Sequence, residues 1–217
     1  KNKEILSFTT DEHPRLSTVE KLSTLKPIVK SNGTVTAGNS SGVNDGAAAL
    51  LIASEKAVKQ FNLTPKARIL GMEVAGVLPR IMGMGPVPAT QKLLKRLNLT
   101  LDDIDIIELN EAFAVQAIAF MQEFGLKFPD DPRLNIYGGA IAFGHPLASS
   151  GVRLALHLMH AFAERPDVKY GLTTMCVGLG QGGTVIWKNL QRDGKSKEKE
   201  ELEEDGNQKE KEKKKKK

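Results

Sequence analysis

Between residues 68 and 187 the hydrophobic period of the sequence keeps switching, and this alternation limits the fold more than any other feature. Residues 68–77 read as a strand, 88–98 as a helix with Leu93, Leu94 and Leu97 on one side, and 105–109 as a short apolar strand. A helix over 111–124, a strand over 134–137 and a helix over 146–165 follow. Two last strands, 170–177 and 184–187, are joined by glycines. Strand and helix taken in turn predict an α/β domain with a mostly parallel sheet closed by an antiparallel hairpin.

Two of these helices say more. From Ala112 to Phe124 only Gln116, Gln122 and Glu123 are polar. The helix after Pro146 carries one narrow polar stripe of Arg153, His157, His160 and Glu164. Helices apolar over most of their circumference are buried on more than one side, so a further layer is expected against them. Upstream, residues 1–43 are polar without clear periodicity, and an apolar stretch over 47–53 runs into a helix ending near Asn62.

The 217 residues carry 31 Lys or Arg against 26 Asp or Glu. The tail, 191–217, holds 11 of the basic and 9 of the acidic residues, has little to bury, and is expected to be disordered. The remainder is close to neutral, which argues against a nucleic-acid footprint outside the tail. No apolar run reaches the ~18 residues of a spanning helix, so no membrane partner is expected. One cysteine excludes an internal disulfide and fits a reducing, intracellular setting; cytoplasm, mitochondrion and peroxisome are not distinguished.

Two clusters carry reactive groups: Gly138-Gly139-Ala140-Ile141-Ala142-Phe143-Gly144-His145-Pro146 and Cys176-Val177-Gly178-Leu179-Gly180-Gln181-Gly182-Gly183. Proline after His145 suits the first turn of a helix. A histidine at that end feels the positive end of the dipole and stays a neutral base. Cys176, at a strand end, is either an inert buried thiol or a group whose following glycines turn backbone N–H donors inward as an oxyanion hole. Asn110 is either an N-cap or a side chain at a strand's carboxyl end, where α/β sheets bind ligands. His157 and His160 lie three apart but lack a third ligand nearby, and a solvated stripe is expected there instead of a metal site. Two further loops stand out: Gly83 to Pro88, and a turn of small polar residues, Asn39 to Gly46, suited to close ligand contact.

Together these segments resemble the thiolases, the acyl-CoA acetyltransferases. The resemblance is carried by residues 39–47, 83–89, 110–114, 138–146 with Ser150-Gly151, and 176–180, in family order over residues 9–190. It implies the C-terminal half of a layered αβαβα fold. Residues 1–43 would be a remnant of the family's loop domain, 44–66 the end of its N-terminal half, and 67–190 its C-terminal domain. His145 would activate a nucleophilic cysteine and help bind the thioester oxygen, while Asn110 would hold a water there. Cys176 would move the α-proton, and the Gly178 N–H would serve a second oxyanion hole. Ser41 would lie along the pantetheine arm of coenzyme A.

Coenzyme A and acyl-CoA are implied as substrates, with no permanently bound cofactor or metal, and a homodimer or homotetramer as the full-length assembly. The acylated cysteine belongs to a first half that this sequence does not contain, so the fragment alone is expected to be inactive. The rival readings are a non-catalytic thiolase-like module that binds coenzyme A or a partner, and a nucleic-acid or anionic-surface binder acting through the tail. One departure from the family is Ala148, where a glycine usually stands two residues after the proline.

Overall fold

The computed structural model describes residues 7–191. The elements run α1 (Val19–Ser23), α2 (Glu55–Gln60), β1 (Ala67–Gly76), α3 (Pro86–Leu97), β2 (Ile106–Leu109), α4 (Ala114–Glu123), α5 (Ala140–Phe143), α6 (Leu147–Glu164), β3 (Tyr170–Val177) and β4 (Gln181–Asn189). Turns of 3₁₀ helix lie at Pro79–Met84 and Leu101–Asp103. The tail read as disordered falls, from residue 192 on, outside the described residues.

The strands pair in the order β1-β4-β3-β2. β2 and β3 are parallel, with Leu109 opposite Thr174, whereas β4 is antiparallel to both β3 and β1. The expected closing hairpin is present, but the expected mostly parallel pairing is corrected. β4 turns back and lies between β1 and β3, so those two strands, which share a direction, are kept apart and only β2 and β3 pair in parallel.

The strand expected over 134–137 is also corrected. Leu134 makes a single parallel bridge to Ile107, and Asn135 then turns the chain with φ of 45°. Its side-chain amide takes over where the backbone leaves off. Oδ1 accepts from the Leu109 N–H at 2.8 Å, and Nδ2 donates to the Leu109 carbonyl at 2.9 Å. An amide side chain presents an N–H donor and a carbonyl acceptor side by side, as a peptide strand does, so the edge of β2 is satisfied without a fifth strand.

Sequence accounts for the main helices. Pro86 fits the first turn of α3, and Asn98, left-handed at φ 53°, ends it. In α6, Leu154, Ala155, Leu158, Ala161 and Phe162 recur at helical spacing and are all buried. Ala155, Leu158, Ala161 and Phe162 pack with Ile106, Val168 and Trp187 on one face of the sheet. Val87, Leu93 and Leu94 of α3 and Phe120 and Met121 of α4 pack with Ile107, Leu109, Leu172 and Ile186 on the other. Each fully buried large apolar side chain contributes roughly 1.5–3 kcal/mol, so the sheet is held from both sides as the middle of three layers.

The α6 side is incompletely covered. Met72 and Val74 of β1 are 60% and 72% exposed, and the segment 47–53 has no regular structure, leaving Leu51 82% exposed. Between that segment and α6 lies a cavity of about 600 Å³, lined by Leu50, Ile52, Ile69, Met159 and Trp187 among others.

Candidate active site

His145 stands on the link between α5 and α6. Gly144 before it has φ of 96°, and a Cβ there would strike the Asn44 side chain, so both conformation and space call for glycine. The His145 N–H donates to Asn44 Oδ1 at 3.0 Å and to the Gly42 carbonyl at 3.1 Å. Pro146, expected inside the helix, is its N-cap residue with ψ of 56°, and α6 opens at Leu147.

The ring has a defined orientation. Ser150 Oγ, fully buried, lies 2.6 Å from Nδ1, and Asn110 Nδ2 lies 3.4 Å from Nε2. An amide NH2 can only donate. We therefore assign the proton to Nδ1, which donates to Ser150, and the lone pair to Nε2, which faces Asn110. Burial, followed by the charge of Arg153, holds the imidazole below the usual histidine range. The ring is thus a neutral base with its free nitrogen turned toward Asn110.

Asn110 follows β2 directly, is buried, and donates its N–H to the Thr174 carbonyl of β3 at 3.0 Å. The capping alternative falls, because the N-cap of α4 is Phe113. Asn110 Oδ1 is buried without a hydrogen-bond partner among the described residues.

Two residues beyond Thr174, Cys176 pairs with Gly182 in the hairpin and is 6% exposed. Burial pushes its thiol up. Cys176 and Asn110 therefore lie at the carboxyl ends of adjacent parallel strands, although no hydrogen bond among the described residues joins Cys176 to His145. Gly178 sits in the exposed turn beyond, where a Cβ would meet open space.

The segment around Ser41 fastens these parts together. Ser40 bridges to Phe113 and Val43 to His145. The Ser41 N–H and hydroxyl both donate to the Ala112 carbonyl, at 3.0 and 3.2 Å. The stretch read as a turn is therefore a strap across the Asn110 and His145 loops. Its hydrogen-bonding side chains, Asn44 above all, hold protein as well as facing solvent.

Sequence reasoning missed a polar group beneath the site. Glu108, the one charge in Ile106–Leu109, is 1% exposed, and burial raises its carboxyl against the opposing pull of His157. His157 Nδ1 lies 3.4 Å from Glu108 Oε2, and Arg153 reaches the Gly144 carbonyl. The stripe expected to be solvated thus turns partly inward, because the buried carboxylate draws its two N-terminal members. Glu111 completes the frame, accepting from Asn135 Nδ2 at 3.0 Å and the Ile141 N–H at 3.2 Å. A lone acidic residue in an apolar strand was the available signal.

This geometry can be compared with known proteins. A family model described as thiolase, C-terminal domain, matches residues 63–189, and one described as thiolase, N-terminal domain, matches residues 1–56. The chain belongs to the thiolase family. It is 58% identical over 173 residues to a beta-ketoadipyl-CoA thiolase of Pseudomonas aeruginosa, which covers 79% of this chain and 43% of that protein. Among solved structures, human mitochondrial 3-ketoacyl-CoA thiolase in complex with CoA aligns at TM-score 0.79 and 50% identity, over 84% of this chain and 45% of that one. The Bacillus anthracis acetyl-CoA acetyltransferase aligns at TM-score 0.80 and 42% identity, over 88% and 48%. The chain therefore has the α/β thiolase fold in part, and spans less than half the length of these relatives.

Proposed function

We propose that this chain supplies the proton-transfer half of a thiolase active site, for cleavage of a 3-oxoacyl-CoA by CoA to acetyl-CoA and a shortened acyl-CoA, or the reverse condensation. The observation that carries the reading is the neutral His145, its Nε2 facing the buried Asn110 amide at the strand ends, with the Cys176 thiol on the neighbouring strand. Residues 1–43, 44–66 and 67–190 are read as the loop-domain remnant, the end of the first half and the C-terminal domain.

Mechanistically, His145 Nε2 takes the proton of an attacking thiol, and the resulting imidazolium, with a water held by Asn110, faces the thioester oxygen. Removing an α-proton from a thioester requires a base beside the carbon and donors at the oxygen where charge collects. Cys176 is the base in condensation and the acid in cleavage. Its buried, neutral thiol suits the donating direction, and the Gly178 N–H stabilises the enolate oxygen. Ser41 borders the pantetheine path. Coenzyme A acts as substrate, with no resident cofactor, and the assembled protein is a homodimer or homotetramer. The acylated nucleophile comes from a segment other than this one, because the only cysteine here is Cys176. The exposed segment 47–53 and the half-covered α6 face support the same reading, since both need a neighbouring layer.

The test is a fusion of this chain behind the first half of the P. aeruginosa relative, assayed for acetyl-CoA released from a 3-oxoacyl-CoA and CoA. Turnover by the fusion and none by the isolated chain is expected. A folded fusion without turnover, or turnover by the isolated chain, contradicts the proposal.

A further inference from the structure

Arg153 projects from the second turn of α6 back toward the loop that precedes the helix. Its Nη1 donates to the Gly144 carbonyl at 2.7 Å, and its guanidinium carbon lies 5.2 Å from the centre of the Phe143 ring. Neither contact ties α6 to the sheet; both land on the two residues before His145. Gly144 is the left-handed C-cap of α5 and donates its N–H to the Ala140 carbonyl at 2.9 Å; a glycine in that conformation has wide backbone freedom, and its carbonyl is the group Arg153 takes up. The opposite charge comes from Glu108, whose Oε1, like Arg153 Nε and His157 Nδ1, is buried without a hydrogen-bond partner among the described residues. His157 packs edge-on with Phe143, the ring centres 5.6 Å apart.

We propose that Arg153 is a positioning residue for His145: its guanidinium, stacked on Phe143 and balanced by the buried Glu108 carboxylate, clamps the Gly144 carbonyl and fixes the backbone from which the imidazole projects. The catalytic meaning of this clamp rests on the thiolase reading, but the clamp itself does not. The titratable groups around the turn are Arg153 and His157 from α6, Glu108 from β2, Glu111 after it, Cys176 at the end of β3, and His13, whose Nε2 meets the Ile141 carbonyl at 3.2 Å. Of these, Arg153 is the charge that bears on His145, and it disfavours the imidazolium.

The experiment is NMR on the isotopically labelled 217-residue chain, following the His145 imidazole titration and the Gly144 carbonyl carbon. In Arg153→Gln the titration midpoint rises and the Gly144 carbonyl signal moves, while Arg153→Lys returns the midpoint most of the way. A folded Arg153→Gln chain with both signals unchanged overturns the proposal. Should Arg153→Gln not fold, Arg153→Lys decides: a near-native midpoint with a displaced Gly144 carbonyl supports the clamp, and an undisplaced carbonyl overturns it. In the active fusion, Arg153→Gln lowers kcat by roughly 10- to 100-fold with a smaller change in KM. The NMR readout needs no turnover, so its failure refutes the clamp alone, and a fusion without acyl transfer refutes the thiolase reading alone.

Discussion

The loop that carries His145 and the turn that follows Cys176 are built differently. The His145 loop is gripped from several directions: Glu111 takes the Ile141 N–H, Asn44 and Gly42 take the His145 N–H, Arg153 holds the Gly144 carbonyl, and Ser150 holds the ring. The turn after Cys176 is held at its ends, by Val77 N–H on the Gly180 carbonyl at 2.8 Å and by Gln181 on the Gly178 carbonyl at 3.3 Å. Its tip is bare, with Leu179 86% exposed and left-handed at φ 65°. A base must sit within hydrogen-bond reach of its proton, and of the two segments only the imidazole loop is held at every point from which its side chain is aimed.

The comparison breaks most sharply at His145 itself. His145→Ala in the fusion is expected to lower kcat by about 10²- to 10⁴-fold, the range of a lost general base, as read from acetyl-CoA release. Ser150→Ala removes the group that fixes the ring and its tautomer. A lost hydrogen bond of about 1–1.5 kcal/mol predicts a fall in kcat of roughly tenfold, with the imidazole nitrogen signals showing a mixture of tautomers.

Stability against pH sharpens the contrast. The folded His145 resists protonation, mainly because it is buried, so the unfolded chain takes up the proton first. The sign follows from linkage: His145 costs nothing above the ordinary histidine range, and stability falls as pH drops through that range toward the folded value. Urea midpoints measured from pH 7.5 downward should fall less in His145→Gln than in the parent. Glu108 has the opposite slope, since its raised carboxyl weakens the fold as pH climbs above the ordinary carboxylate range. The smallest effect is expected at the bare turn. Leu179→Gly relieves a left-handed side chain and should stabilise by about 0.5–1 kcal/mol, leaving the His145 titration where it was.

The α/β alternation was legible, and His145, Asn110 and Cys176 stood out as candidates, because period, glycine punctuation and strand ends are local signals. Asn110 and His145, 35 residues apart, come within 3.4 Å of each other on folding. What stayed hidden was tertiary. No local pattern tells that β4 slips between β1 and β3, or that Asn135 replaces a strand edge with its side chain. Asn44 and Arg153 act on a backbone remote in sequence or in another element, so their roles emerge only on folding. Glu108 was the readable exception, a lone carboxylate in an apolar strand whose partners then explain why the α6 stripe turns inward.

On the proposed function, the strand ends around Cys176 and Asn110 form a site for carbanion formation beside a thioester. Incubating the active fusion with acetyl-CoA in deuterated water and following the methyl group by mass spectrometry tests it most directly. Deuterium uptake is expected in the parent and its loss in Cys176→Ala. Uptake at the parental rate in a folded Cys176→Ala protein would contradict it.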